Sequence, residues 1–158
     1  MNRRILKIVC IILFAGILSC SGNSGKEMPV ARKGVLDLRD WNFQKDGVAK
    51  ITGELRFYWK KLHPPERLQE DGYPAGMEYY YFPVYWNWEH DSNKLYPIFG
   101  YATYHLDILL PSIETIGIRV NSPYIAYDIY LNGQNVIGTG RVGTSAETED
   151  PHFKPGIM

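Results

Sequence analysis

Cysteine is almost absent from this chain, and the two cysteines present, Cys10 and Cys20, both lie within the first 20 residues. A domain formed by the residues after them contains no internal disulfide, so its stability has to come from packing. No apolar run is long enough to span a membrane as a helix, because the run at residues 8–18 is about half of the roughly 20 residues required. Clustered basic residues are also missing, which excludes a nucleic-acid-binding face.

Recognisable catalytic and metal-site motifs are absent as well. The histidines are scattered without HExxH or paired-cysteine spacing, and no glycine-rich loop resembles a phosphate cradle. These absences favour a noncatalytic protein without a cofactor.

The N-terminal residues have the plan of a bacterial export signal. Arg3, Arg4 and Lys7 precede the apolar run, and a segment rich in Ser, Gly and Asn follows it. The run ends in ILSC, which resembles a lipobox, where the thiol of Cys20 is acylated and the chain is cut just before it. We therefore expect a signal peptide at residues 1–19, a lipid anchor on Cys20 and a flexible tether at residues 20–33. An ordinary secretory signal and an uncleaved anchor are the alternatives.

The remaining residues, 34–158, have the pattern of an all-β domain. Apolar and polar residues alternate at 54–59, 103–110, 116–120 and 127–131, and Asn132-Gly133 is a strong hairpin signal. Proline and glycine interrupt these segments, and only residues 40–43 and 60–69 favour a helical turn. The pattern predicts six or seven short strands in a β-sandwich or jelly roll.

Four segments in order resemble a known family. They are GVAKITGELRFYW at residues 47–59, FPVYW at 82–86, GYATYHL at 100–106, and AYDIYLNG at 126–133 followed by GRVG at 140–143. Together they are similar to the extracytoplasmic sensor domain of bacterial seven-transmembrane receptors with diverse intracellular signalling modules.

The resemblance implies a galactose-binding-like jelly roll, similar also to the sugar-binding domain of family 2 glycoside hydrolases. It implies an architecture rather than a reaction. His105 stands where the family usually has Arg, and the chain ends before the membrane helices and output module of such receptors. We therefore expect the sandwich to lack its last strands.

The best candidate ligand site lies in the aromatic segment after residue 84. Tyr85, Trp86 and Trp88 have flat rings that suit stacking on a sugar, although Tyr85 and Trp86 also suit the core. Trp88 is the stronger candidate because Glu89, His90 and other polar residues surround it.

Two acidic segments have ligand types that favour a structural calcium, although consecutive acids on a loop are more often a solvated surface. They are Glu89, His90 and Asp91, and Glu147, Glu149, Asp150 and His152. His105 lies on the polar side of a strand, and the pattern assigns it no function.

Three hypotheses follow for the function. The first is a noncatalytic sensory module, held in the cell envelope outside the cytoplasm by its lipid, that binds a carbohydrate or another small polar ligand. The second is a structural lipoprotein that binds another envelope protein. The third is the remnant N-terminal fragment of a receptor linked to a cyclase, kinase or phosphatase.

Overall fold

The structure is a computed structural model, and it describes residues 26–69, 72–90, 94–112, 116–121, 126–151 and 156–157. The described residues form mostly strands with two short helices, which confirms a β-rich fold. None of the helices in these ranges is long and apolar enough to cross a membrane. Cys20 and the signal segment lie outside the described residues.

The helices and strands are short. They are β1 (Val35–Asp37), α1 (Phe43–Asp46), β2 (Gly53–Trp59), α2 (Pro65–Gln69), β3 (Glu78–Phe82), β4 (Ala102–His105), β5 (Asp107–Leu109), β6 (Arg119–Val120), β7 (Tyr127–Leu131), β8 (Gln134–Thr139) and β9 (Gly156–Ile157). The predicted strands at 54–59, 103–110 and 127–131 are confirmed, with a break at Leu106.

The central unit is an antiparallel sheet in the order β3-β2-β4. Because side chains alternate along each strand, the register assigns the residues to two faces. One face carries mainly aromatic side chains, and we call it the aromatic face: Phe57, Trp59, Tyr80 and Tyr104. The opposite face, called the polar face, carries Arg56, Tyr58, Tyr79, Thr103 and His105.

Strand β2 is covered on both of these faces. Phe57 and Tyr58 are both fully buried, and Arg56 is only 5% exposed. The alternation of residues predicted a strand here, but it did not show that its polar side is buried too. Burial of both faces makes β2 the centre of the described fold.

Two apolar clusters form the core along the aromatic face. The first consists of Ala31, Leu36, Leu38, Trp41 and Leu55, with Leu106 and Ile108 packed against it. The second consists of Phe57, Tyr80 and Tyr96, with Trp59 and Trp86 packed against it. Tyr104 contacts both clusters, so the core is continuous along β2.

The end of the predicted tether belongs to the folded domain. Ala31 is 1% exposed, its N–H donates to the Thr52 carbonyl at 2.7 Å, and its carbonyl accepts from Glu54 N–H at 2.9 Å. Met28 also packs against the first cluster. The predicted start of the domain at Gly34 is therefore corrected. Residues 28–33 belong to the domain because they pair with β2 in a strand-like way.

Outside this unit, β7 and β8 form the hairpin that Asn132-Gly133 predicted. Both turn residues have positive φ, +49° and +86°, as a tight two-residue turn requires. Strands β1 and β5 pair in parallel, and β6 pairs with β9. β1 escaped prediction because its three residues are too few to show a period.

Candidate binding surfaces

Two aromatic side chains stand exposed together on the segment after β3. Tyr85 is 66% exposed and Trp88 60%, and their ring centroids lie 4.9 Å apart at an interplanar angle of 59°. A turn holds them, because Trp88 N–H donates to the Tyr85 carbonyl at 3.0 Å. This aromatic pair presents a flat, partly apolar surface to solvent.

Trp86, between the two, lies on the opposite side of the segment and packs inward. Its ring meets Trp59 edge-on, with centroids 4.7 Å apart. Its Nε1 donates to the Tyr104 hydroxyl at 2.8 Å, and burial raises the pKa of Tyr104 to about 12. Of the two roles considered for Trp86, the structure places it in the core, where it anchors the aromatic pair.

The segment at residues 94–99 is hydrogen-bonded to the segment that carries the pair. Tyr96 N–H donates to the Trp86 carbonyl at 2.8 Å, and the Tyr96 hydroxyl donates to Glu78 at 2.7 Å. Burial and this carboxylate raise the pKa of Tyr96, so its hydroxyl stays a donor. Large apolar side chains flank Tyr96 on the surface: Leu95 is 56%, Ile98 64% and Phe99 86% exposed.

The polar residues predicted beside Trp88 divide between two places. Glu89 is exposed to solvent. The His90 ring instead stacks on Tyr81, with centroids 4.1 Å apart and planes 19° apart. Since the register places Tyr81 on the side of the sheet that bears Arg56, His90 packs on that side of the sheet. The structure therefore brings Tyr85 and Trp88 together but not the whole predicted set.

A buried polar cluster lies on the polar face, and the sequence pattern missed it. Arg56 Nη1 donates to Asp107 at 2.8 Å and to the Gly34 carbonyl at 2.9 Å, and it lies 3.4 Å from His105 Nδ1. The Tyr73 ring covers the guanidinium, with 4.2 Å between Cζ and the ring centroid. Arg56 Nε is buried without a hydrogen-bond partner.

His105 belongs to this cluster, although the pattern assigned it no function. Burial lowers its pKa, Asp107 opposes that shift, and the charge of Arg56 adds to it. Near pH 7 the His105 ring is therefore neutral, and it lies beside the guanidinium of Arg56. One signal could have revealed the cluster: Arg56 stands between the apolar residues Leu55 and Phe57 in β2, and a charge in a buried strand needs partners from its neighbours.

The calcium hypothesis finds no geometric support in the part of the chain that the structure describes. No three His, Cys, Asp or Glu side chains there lie close enough together to hold a metal ion. Glu147, Glu149 and Asp150 are exposed, while Asp91 and His152 lie outside the described residues.

Comparison with known proteins gives no further assignment. No protein-family model, curated protein or solved structure matches this chain. The function has to be argued from the two surfaces themselves.

Proposed function

We propose that this protein is a noncatalytic ligand-binding module that is tethered outside the cytoplasm and binds a carbohydrate. The observation that carries this proposal is the exposed pair Tyr85 and Trp88. The β-rich fold and the sequence resemblance support a jelly roll like the input domain of a signalling receptor. In this role the protein detects its ligand and performs no chemistry on it.

Physical chemistry explains why such a pair suits a sugar. A flat ring offers large contact area to the apolar face of a pyranose and loses little conformational entropy, because it has only two side-chain torsions. The rings lie at 59° to each other, so they form a shallow angled surface rather than one plane. Such a surface fits successive sugar units of an oligosaccharide whose ring planes turn along the chain.

We predict that Trp88→Ala weakens oligosaccharide binding by about tenfold, equal to about 1.4 kcal/mol, because one stacking surface is lost. The measurement is isothermal titration calorimetry of the purified protein against a panel of neutral hexose and pentose oligosaccharides. Tyr130→Ala serves as the control, because this tyrosine is exposed on the β7–β8 hairpin. A panel without any binder for the wild-type protein, or equal affinities for both variants, would contradict the proposal.

The tether is proposed from the sequence, through acylation of Cys20. We predict that cells given a fatty-acid probe label the wild-type protein and that Cys20→Ala loses the label, because the thiol at the lipobox position is gone. Membrane fractionation should then recover the wild type with the envelope and release the variant. Continued labelling of Cys20→Ala would rule out Cys20 as the lipidated residue, and an unlabelled wild-type protein that stays with the envelope would favour the uncleaved-anchor alternative.

The exposed apolar side chains of the segment at residues 94–99 favour a second candidate, binding of another envelope protein. Leu95, Ile98 and Phe99 are exposed beside Tyr96, and neighbouring exposed apolar side chains are typical of protein interfaces. Ile98→Asp separates the candidates: we expect it to abolish crosslinking to an envelope partner and to leave oligosaccharide affinity unchanged.

A further inference from the structure

Unpaired polar groups gather on the polar face of the β3-β2-β4 sheet. Among the described residues, buried atoms without a hydrogen-bond partner include Arg56 Nε, the Tyr58 hydroxyl and His63 Nε2. Arg56 and Tyr58 are same-face neighbours in β2. The His63 ring meets the Tyr58 ring edge-on at 4.8 Å, and its backbone N–H donates to Thr103, the partner of Tyr58 in β4. All three therefore lie on the same side of the sheet.

These groups have the chemistry of an anion site. Burial raises the pKa of Tyr58, so its hydroxyl is a permanent donor. Burial lowers the pKa of His63, and the charges of Lys61 and Arg67 lower it further, which places these two cations close by. The carboxylate of Asp107 accepts a hydrogen bond only from Nη1 of Arg56, and the Asp107 side chain is 45% exposed. An arginine that keeps a buried N–H donor unused suits a second oxyanion.

Tyr73 controls access to these donors. Its ring covers the Arg56 guanidinium, yet the residue is 46% exposed, so one of its sides faces solvent. The turn that carries it runs between Gly72 and Gly76, which both have positive φ, +89° and +85°. Displacing this ring would open the Arg56 side of the surface.

We propose that Arg56, Tyr58 and His63 form a second ligand site, independent of the aromatic pair, that binds the carboxylate of a small organic acid or acidic sugar. The carboxylate accepts hydrogen bonds from Arg56 Nε and from the Tyr58 hydroxyl after Tyr73 has moved aside. The Cα atoms of same-face neighbours in a strand lie about 7 Å apart, so Arg56 and Tyr58 present their donors from adjacent positions on one side of the sheet. Binding satisfies donors that the free protein leaves buried and unpaired.

The test is isothermal titration calorimetry of the purified protein. Sodium acetate, sodium glucuronate and glucose are titrated separately at constant ionic strength. We expect acetate and glucuronate to bind at this site and glucose not to bind there. Binding of acetate supports a free acid as the source of the carboxylate, and binding of glucuronate alone supports an acidic sugar. Absence of binding by both acids at millimolar concentrations would overturn the proposal.

Tyr58→Phe is the decisive variant, because it removes one hydroxyl and keeps the ring. We expect it to weaken carboxylate binding by about fivefold. Its melting temperature without ligand should equal or exceed that of the wild type, because an unpaired buried hydroxyl is gone. That second readout separates a lost ligand contact from a folding defect.

Two controls complete the design. Tyr130→Phe makes the same chemical change on the exposed hairpin and should leave acid binding unchanged. Trp88→Ala should also leave it unchanged, so that failure of the aromatic pair as a sugar site is distinguishable from failure of this one. Unchanged acid affinity in Tyr58→Phe, or an equal loss in Tyr130→Phe, would refute the assignment.

Discussion

Replacing Phe57 by alanine should destabilise the protein by about 3–5 kcal/mol, the usual cost of emptying a buried phenylalanine site. Phe57 is fully buried, and its ring lies 4.7 Å from Tyr80, 4.9 Å from Tyr104 and 5.5 Å from Tyr96 between centroids. These neighbours are held by the sheet register and by hydrogen bonds, so they collapse only partly into the cavity. Urea unfolding followed by tryptophan fluorescence measures the loss.

Phe99→Ala is the matched control for this prediction. The same side chain is removed, but Phe99 is 86% exposed, so we expect a change within about 0.5 kcal/mol. Because a domain of this size is stable by about 5–15 kcal/mol, the Phe57 variant should remain folded only marginally. A loss below about 1 kcal/mol for Phe57→Ala would mean that the second apolar cluster does not pack around Phe57.

Gly53→Ala should destabilise the protein by about 2–4 kcal/mol, through a different mechanism. Gly53 has φ +113°, and a Cβ there would come within 2.3 Å of the Ala31 carbonyl oxygen and 2.7 Å of the Ala31 nitrogen. Backbone atoms cannot rotate away as a flexible side chain can, so the N-terminal segment would have to separate from β2. Strain at positive φ and overpacking both contribute.

Comparison with Gly47→Ala isolates the steric part of the Gly53→Ala effect. Gly47 also has positive φ, +81°, but a Cβ there would meet nothing within 4 Å. We therefore expect Gly47→Ala to cost about 1 kcal/mol, and Gly53→Ala to exceed it by about 1–3 kcal/mol. Equal losses in thermal or urea unfolding would show that residues 28–33 do not pack against Gly53.

The strands illustrate which parts of the fold the residue pattern can predict. Period-2 alternation identified β2, β4, β5 and β7, and Asn132-Gly133 located the hairpin turn and its returning strand β8, because these features depend on neighbours in sequence. The pairing of β1 with β5 is parallel and joins residues 35–37 to residues 107–109. Alternation carries no information about such distant partners, so that pairing was not predictable.

The candidate sites divide in the same way. The polar residues around Trp88 made it the stronger ligand candidate, and its side chain is 60% exposed. Its neighbour Trp86 is two residues away yet packs against Trp59, and sequence proximity could not separate the two roles. Arg56, His105 and Asp107 come from β2, β4 and β5, so their cluster forms only when these strands have assembled.

By itself, the sequence determined the strand-rich character of this protein, its hairpin turn, the absence of disulfides and the export-signal pattern of its N-terminus. These are properties of composition and of residues close together in the chain. Only the tertiary structure decided that both faces of β2 are buried, that Ala31 closes over Gly53, and that unpaired donors gather around Arg56 and Tyr58. Burial and hydrogen-bond satisfaction depend on which distant segments cover a residue, and that is fixed only when the chain has folded.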